Sequence, residues 1–142
     1  MKKLFPIFML SLLVFVACND DDKGVALNKN VTRFIESKYE GAVIRHAEYE
    51  DNGLIEVEIL HNSLIKDVYF TSGDDWVYTS WDIRLSNLPA IVKEVVANAY
   101  PGFVIEEVDF IERPGISYYA VDLEKGDADS IVYVSPEGEV LN

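Results

Sequence analysis

Carboxylates are the most abundant groups in this sequence that could do chemistry. They occur in pairs on short segments, of which Glu48/Glu50 and Glu56/Glu58 are the clearest. General acid–base catalysis needs two carboxylates that face each other across a cleft in unlike environments. Residues two apart on a strand share one face of the sheet and usually stand in solvent. These pairs therefore predict an acidic surface and not a catalytic dyad.

Histidine, serine and aspartate add no catalytic or metal site. His46 and His61, the two histidines, have no second histidine or cysteine at a zinc-binding spacing. Asp127 and Asp129 begin like a calcium loop, but the glycine and the final glutamate of such a loop are missing. No serine stands in a nucleophile elbow. We therefore predict no catalytic residue, no metal and no cofactor, and a protein that is not an enzyme.

Cys18 is the single cysteine, and it follows an apolar run. The run Leu4–Val16 comes after two lysines and is too short to span a bilayer as a stable helix. Its end, Ala17 before Cys18, resembles the lipobox of bacterial lipoproteins, in which a peptidase cuts before the cysteine and the thiol takes lipid. An exported chain with one cysteine has no disulfide partner, which favours lipidation over an ordinary secretory signal. We expect residues 1–17 to be a lipoprotein signal peptide.

The charge of the chain excludes several partners. Its net charge is −13, and removing residues 1–17 leaves 10 basic against 25 acidic residues, or about −15. Nucleic acid and anionic lipid both need clustered lysine and arginine, so neither is expected to bind. Residues 18–26 form an acidic tether. We expect a lipid anchor at Cys18 in a Gram-negative envelope, most simply in the outer membrane, with the domain facing the periplasm or the cell surface.

Hydrophobic periodicity predicts two amphipathic helices, at about 27–39 and 88–100, separated and followed by strands. Residues in the first helix and just after it recur in the second 61 positions later. The matching pairs are Leu27/Leu88, Val31/Val92, Tyr39/Tyr100, Gly41/Gly102, Val43/Val104 and Ile44/Ile105. The strands are expected at about 43–50, 54–60, 65–71, 76–82, 104–112, 117–124, 130–135 and 139–141. The repeat predicts two units, about 27–82 and 88–142, each a helix followed by four antiparallel strands.

Neither unit could bury a helix stripe and a four-stranded sheet well by itself. The expected fold of residues 27–142 is therefore α+β, with the two tandem helix-plus-four-strand units forming one antiparallel sheet and both helices on one face. The opposite face of the sheet is left for water or a partner.

The chain resembles the PepSY-like family, whose members are also described as β-lactamase-inhibitor-like. The resemblance rests on Trp76, Thr79, Leu88-Pro89, Val92, Tyr100 and Ile105, and on the segments 119–123 and 136–141. It implies helix-plus-sheet units on small exported or lipid-anchored proteins. It also implies inhibition or modulation of other proteins by binding, and it supplies no catalytic residue.

Strand parity places several aromatic rings on the uncovered face. Tyr69 and Tyr133 alternate with apolar pairs that should face the helices, and Tyr118 alternates with Tyr119. Trp76 and Trp81 are five positions apart, so one of them should face outward, and Trp81 is taken as that one. Exposed rings among acidic side chains are typical of recognition surfaces, although aromatic residues also simply favour strands.

The predicted binding face therefore comprises Tyr69, Trp81, Tyr118 and Tyr133. The favoured function is a non-catalytic module that binds, inhibits or modulates an envelope protein through this face. The alternative is a surface accessory protein in which the rings stack on a glycan or another small ligand.

Mass spectrometry of the native N-terminus tests the lipid anchor. We expect the mature chain to begin at Cys18 and to carry diacylglycerol and an acyl chain. A Cys18→Ser variant should lose the lipid and leave the membrane fraction, yet melt at the same temperature, because the residue lies outside the predicted domain. A mature chain that begins elsewhere, or an unmodified Cys18 thiol, would overturn the prediction.

Overall fold

The computed structural model describes residues 24–141, so the predicted signal peptide, Cys18 and most of the tether lie outside the described residues. Two helices and eight strands follow one another along the chain. They are α1 (Lys29–Lys38), β1 (Val43–Tyr49), β2 (Ile55–His61), β3 (Leu64–Phe70), β4 (Trp76–Asp82), α2 (Ala90–Ala99), β5 (Val104–Arg113), β6 (Ile116–Lys125), β7 (Ala128–Val134) and β8 (Val140–Leu141). Within this part of the chain, no helix is long and apolar enough to cross a membrane.

Local sequence signals set the ends of both helices. At the start of α1 the Asn28 side chain accepts a hydrogen bond from the Asn30 amide at 3.0 Å, which satisfies one of the free donors of the first turn. Tyr39 and Tyr100 are the C-caps of α1 and α2. Gly41 and Gly102 then take φ of +79° and +84°, a left-handed conformation that only glycine adopts without cost.

All eight strands form one antiparallel sheet whose order follows the chain, β1 to β8. The central pairing joins β4 to β5, with Thr79 opposite Glu112 and Trp81 opposite Phe110. Because this pairing is continuous with its neighbours, the sheet has no break between its two halves.

The predicted fold class, α+β with two tandem helix-plus-four-strand units, is wrong. The fold is mostly β: one continuous eight-stranded antiparallel sheet with two helices of only ten residues each. The expected single antiparallel sheet is present, but it dominates the fold, and the two short helices do not divide it into separate units. The strands β5 and β6 also extend to ten residues each, as long as the helices.

Both helices lie on the same side of the sheet. Val57 and Ile59 of β2 are fully buried with Val31 of α1, whereas Val121 of β6 is fully buried with Val92 of α2. These contacts form two hydrophobic core clusters, one under each helix. We call this side of the sheet the helix side and the opposite side the open face.

A chain of polar side chains crosses the helix side above the β4–β5 pairing. The Trp76 indole donates to the Thr79 hydroxyl oxygen at 3.0 Å, and the Thr79 and Tyr39 hydroxyls are 2.7 Å apart. The Tyr39 hydroxyl donates to Glu112 Oε2 at 2.9 Å, and Lys38 Nζ donates to Glu112 Oε1 at 2.8 Å. Since Tyr39 has one hydroxyl proton, which it donates to Glu112, the Thr79 hydroxyl donates to Tyr39. The chain therefore ties the end of α1 to both central strands.

Replacing Tyr39 with phenylalanine tests this polar chain. The change leaves the hydroxyl proton of buried Thr79 without an acceptor and removes one hydrogen bond from Glu112, which keeps its bond to Lys38. We therefore expect Tyr39→Phe to lower the free energy of unfolding by about 1–3 kcal/mol. Urea unfolding followed by circular dichroism measures the change. The matched control is Tyr100→Phe at the end of α2, which we expect to change stability by about 0.5 kcal/mol or less. Equal effects of the two variants would show that the hydroxyl of Tyr39 contributes nothing.

Candidate functional site

The open face is lined by every second residue of the strands, and its side chains are mostly carboxylates and tyrosines. Cross-strand pairing places Glu56 beside Tyr69 and Glu58 beside Asp67, and in the other half Asp109 beside Ala120 and Asp122 beside Ile131. None of the elements in residues 24–141 packs over this face, because both helices lie on the other side.

Tyr69 and Tyr78 form a stacked pair on the open face. Their ring centroids are 4.3 Å apart with an interplanar angle of 20°. The Tyr69 hydroxyl donates to Glu56 Oε2 at 2.8 Å, and the Arg113 guanidinium lies 5.6 Å from the Tyr78 ring centroid. Burial, and next the bonded Glu56 carboxylate, raise the pKa of Tyr69. Each ring is therefore held in a fixed orientation and presents one side to solvent.

Tyr118 and Tyr133 form a second pair on the same face. Their centroids are 5.6 Å apart and the rings meet edge to face at 81°. The side chain of Tyr133 is 43% exposed. The structure thus brings together three of the four predicted face residues in two tyrosine pairs, and Tyr78 is a partner that strand parity alone had not singled out.

Trp81 lies on the helix side and not on the open face. It is in phase with Thr79, which is fully buried beneath α1. Trp76 also faces the helix side, where the centroid of its ring lies 5.2 Å from that of the Phe34 ring. A β-bulge between Tyr78 and Trp76 allows both orientations, because the extra residue, Val77, shifts the alternation by one position. The inference that one tryptophan must face outward fails at this bulge.

Two carboxylates near the centre of the open face have a pKa above the ordinary value of an aspartate. Burial, followed by neighbouring Glu56 and Glu58, raises the pKa of Asp67 to about 6. Burial, followed by Asp82 and Glu107, raises the pKa of Asp109 to about 6. Like charges that cannot move apart disfavour ionisation. A cationic side chain placed against either carboxylate would relieve this repulsion.

Two groups of carboxylates come close enough to share a cation. They are Glu48, Glu50 and Glu56 at one corner of the sheet, and Asp82, Glu107 and Asp109 near the β4–β5 pairing. Carboxylate oxygens suit hard cations such as Ca²⁺. All six residues are exposed or half-buried, as ordinary acidic surface groups are, and the predicted absence of a metal stays a prediction.

Comparison with known proteins identifies the fold. No protein-family profile matches the chain, and no curated protein matches it. Several solved structures do match it. A BLIP-like protein of Bacteroides fragilis NCTC 9343 is 21% identical with a TM-score of 0.74, covering 87% of this chain and 89% of its own. The sequence identity is low, so the likeness concerns the fold.

Two further structures agree. A DUF2874 family protein of Bacteroides ovatus ATCC 8483 is 21% identical with a TM-score of 0.70, covering 84% of this chain and 87% of its own. A proposed periplasmic protein of Bacteroides eggerthii DSM 20697 is 22% identical with a TM-score of 0.66, covering 83% of this chain and 88% of its own. The chain therefore has a BLIP-like fold, as the β-lactamase-inhibitor-like part of the sequence resemblance implied. The PepSY-like part of that resemblance has no counterpart among these structures.

The acidity of the open face can be measured through stability. A carboxylate whose pKa is raised by folding binds more protons in the folded state, so stability falls as pH rises from about 4 to 6. Asp67→Asn removes this cost, and we expect the variant to be more stable than the wild type by about 1 kcal/mol at pH 7.5, after allowing for solvent screening. At pH 4 the gain should nearly vanish, because Asp67 is then neutral in the folded protein.

Asp127→Asn, in the exposed turn between β6 and β7, is the matched control for this measurement. It removes the same charge away from the crowded face and should change stability by about 0.5 kcal/mol or less at both pH values. A destabilised Asp67→Asn variant at pH 7.5, or a gain that is the same at both pH values, would contradict the proposed crowding.

Proposed function

We propose that this protein is a non-enzymatic module that binds another protein through its open face. The observation that carries the proposal is the pair of tyrosine clusters, Tyr69/Tyr78 and Tyr118/Tyr133, on a sheet face that no described element covers. Tyrosine supplies a large contact area with few rotamers to freeze, and it is enriched at the centres of protein interfaces.

The dimensions of the face support a protein partner. Neighbouring strands are about 4.8 Å apart, so an eight-stranded sheet is roughly 30 Å wide or more before twist. A stable interface needs about 800 Å² from each partner, which a face of that width supplies. The tyrosine pairs are already fixed by ring contacts and by the bond from Tyr69 to Glu56, so little side-chain entropy is lost on binding.

The charge of the face favours a basic partner. Asp67 lies two residues from Tyr69 on β3, and Asp109 lies on β5, between the strands that carry the two tyrosine pairs. Further carboxylates surround both residues. Lysine or arginine side chains of a partner would lower the repulsion among these groups and speed the encounter at low ionic strength. We propose that the partner is an envelope enzyme or another envelope protein that this module inhibits or modulates.

The localisation of the protein in the cell envelope forms part of the proposal. A lipid on Cys18 would hold the domain at the envelope membrane, facing the periplasm or the cell surface, with residues 18–26 as the tether. The lipobox-like sequence supports this position, and a proposed periplasmic protein among the structural neighbours is consistent with it.

Binding from envelope extract tests the proposal. The double variant Tyr118→Ala/Tyr133→Ala removes one tyrosine pair, and the matched control Tyr49→Ala removes a tyrosine that is 60% exposed on edge strand β1. We expect the wild-type protein to cross-link to a protein partner. Recovery of that partner should fall at least tenfold with the double variant, which corresponds to a loss of about 1.4 kcal/mol or more in binding free energy, and it should not change with the control.

Salt and glycan measurements complete this test. Binding of the partner should weaken as the salt concentration rises from 50 to 500 mM, because dissolved ions screen the charge of the acidic face. The Debye length is about 10 Å at 0.1 M and shortens as salt is added. Equal recovery with both variants, or retention on a glycan array that only the double variant loses, would reject a protein partner at this face. The second result would favour glycan binding.

A further inference from the structure

The helix side carries a row of four side chains across the central strands that the proposed function does not use. They are Lys66, Trp81, Phe110 and Tyr119, which we call the inter-helix row. Trp81 pairs with Phe110 and Phe110 with Tyr119 in the sheet register. The three rings follow one another at centroid distances of 4.9 and 5.0 Å, and Lys66 Nζ lies 4.0 Å from the Trp81 ring centroid.

The strand positions that flank the inter-helix row on both sides are buried, whereas its three rings are not. Ile59, opposite Lys66, and Val134, opposite Tyr119, are both 0% exposed. Trp81, Phe110 and Tyr119 are only half-buried, although they stand on the central strands of the sheet. Trp81 and Phe110 belong to neither hydrophobic core cluster. The two helices therefore cover the positions that flank the row and leave its rings partly exposed between them, and we call this strip the groove between α1 and α2.

Lys66 is a buried cation at one end of this groove. Its side chain lies against the faces of Trp81 and Tyr39, and the residue is only 7% exposed. In the described part of the chain, no hydrogen bond or ion pair to its Nζ is present. The carboxylate that acts on it electrostatically, Glu112, is already bonded to Lys38 and Tyr39. Most of the Lys66 side chain is buried while its ammonium keeps some contact with solvent. Ring faces replace only part of the hydration that the ammonium has lost.

A second polar atom beside the same tyrosine also has no partner. His61 Nδ1 is buried without a hydrogen bond, and the His61 ring lies 5.4 Å from the Tyr39 ring. Buried polar atoms without partners are uncommon in native proteins. Lys66 and His61 thus leave unfilled hydrogen-bonding capacity on the two sides of Tyr39.

We propose that the groove between α1 and α2 binds a small carboxylate with a flat apolar group. The carboxylate would accept hydrogen bonds from the Lys66 ammonium, and the apolar group would pack against the Trp81 and Phe110 rings, which are inclined at 49° to each other. Charge selects the ligand, because Lys38, Lys66 and Glu112 together leave one positive charge here in a chain that is otherwise strongly acidic. The row spans three strand spacings of about 4.8 Å, so two fused rings with a carboxylate at one end fit within it.

Titration with 2-naphthoate, followed by the NMR signals of the two indole N–H groups, tests this site in the purified protein. We expect saturable shifts of the Trp81 signal that exceed those of Trp76. The neutral probe 2-naphthalenemethanol has the same rings without the charge and should bind about tenfold more weakly, as the loss of a charge-assisted hydrogen bond requires. No saturable shift with 2-naphthoate up to 5 mM (about the weakest affinity that such a probe would show), or equal binding of the two probes, would overturn the proposal.

Lys66→Met removes the ammonium and keeps most of the side-chain volume. We expect it to weaken 2-naphthoate binding about tenfold and to leave binding of the alcohol unchanged. The control Lys29→Met removes an exposed lysine at the other end of α1 and should change neither affinity by more than about twofold. Unchanged naphthoate binding in a folded Lys66→Met variant would also overturn the proposal. If that variant does not fold, the comparison of acid with alcohol in the wild-type protein decides the question by itself.

Discussion

The pairing of β4 with β5 is the constraint on which the rest of this structure depends. It places Thr79 opposite Glu112, and this register brings the hydroxyl of one strand and the carboxylate of the other under the end of α1. Tyr39 then bonds to both. The same pairing fixes the distance between the two core clusters, and with it the width of the groove between the helices. A shift of β5 by one residue against β4 would turn Glu112 to the open face and break the polar chain.

The two faces of the sheet handle charge in opposite ways. The open face concentrates carboxylates until burial and mutual repulsion hold Asp67 and Asp109 near pKa 6. The helix side holds a largely buried lysine, Lys66, and this burial lowers the pKa of its ammonium. Each arrangement costs folding stability, and each leaves charge that a ligand of opposite sign could compensate. Stability given up in this way commonly marks binding surfaces.

Sequence patterns predicted most of the elements but not the balance between helix and sheet. Both helices and all eight strands were expected within about two residues of their observed ends, because apolar spacing and glycine stops are local signals. The fold class was wrong because the repeat gave each helix the weight of a whole layer, whereas each has only ten residues and the continuous eight-stranded sheet dominates. Trp81 was placed on the wrong side because the bulge at Val77 has no signature in the sequence. Lys66 was overlooked, although its phase with Val68 and Phe70 was visible and marks it as a lysine on the buried side of a strand.

The order of the strands has a consequence for how the chain folds. All seven strand pairings of the sheet join consecutive strands, and all but β4 with β5 close through short turns. Such hairpins form in about 1–10 μs, because little chain entropy is lost in closing them. The β4–β5 closure must first enclose the whole α2 segment. Each half of the sheet can therefore assemble early, and the central seam is the step at which the entropy barrier to folding is expected to concentrate.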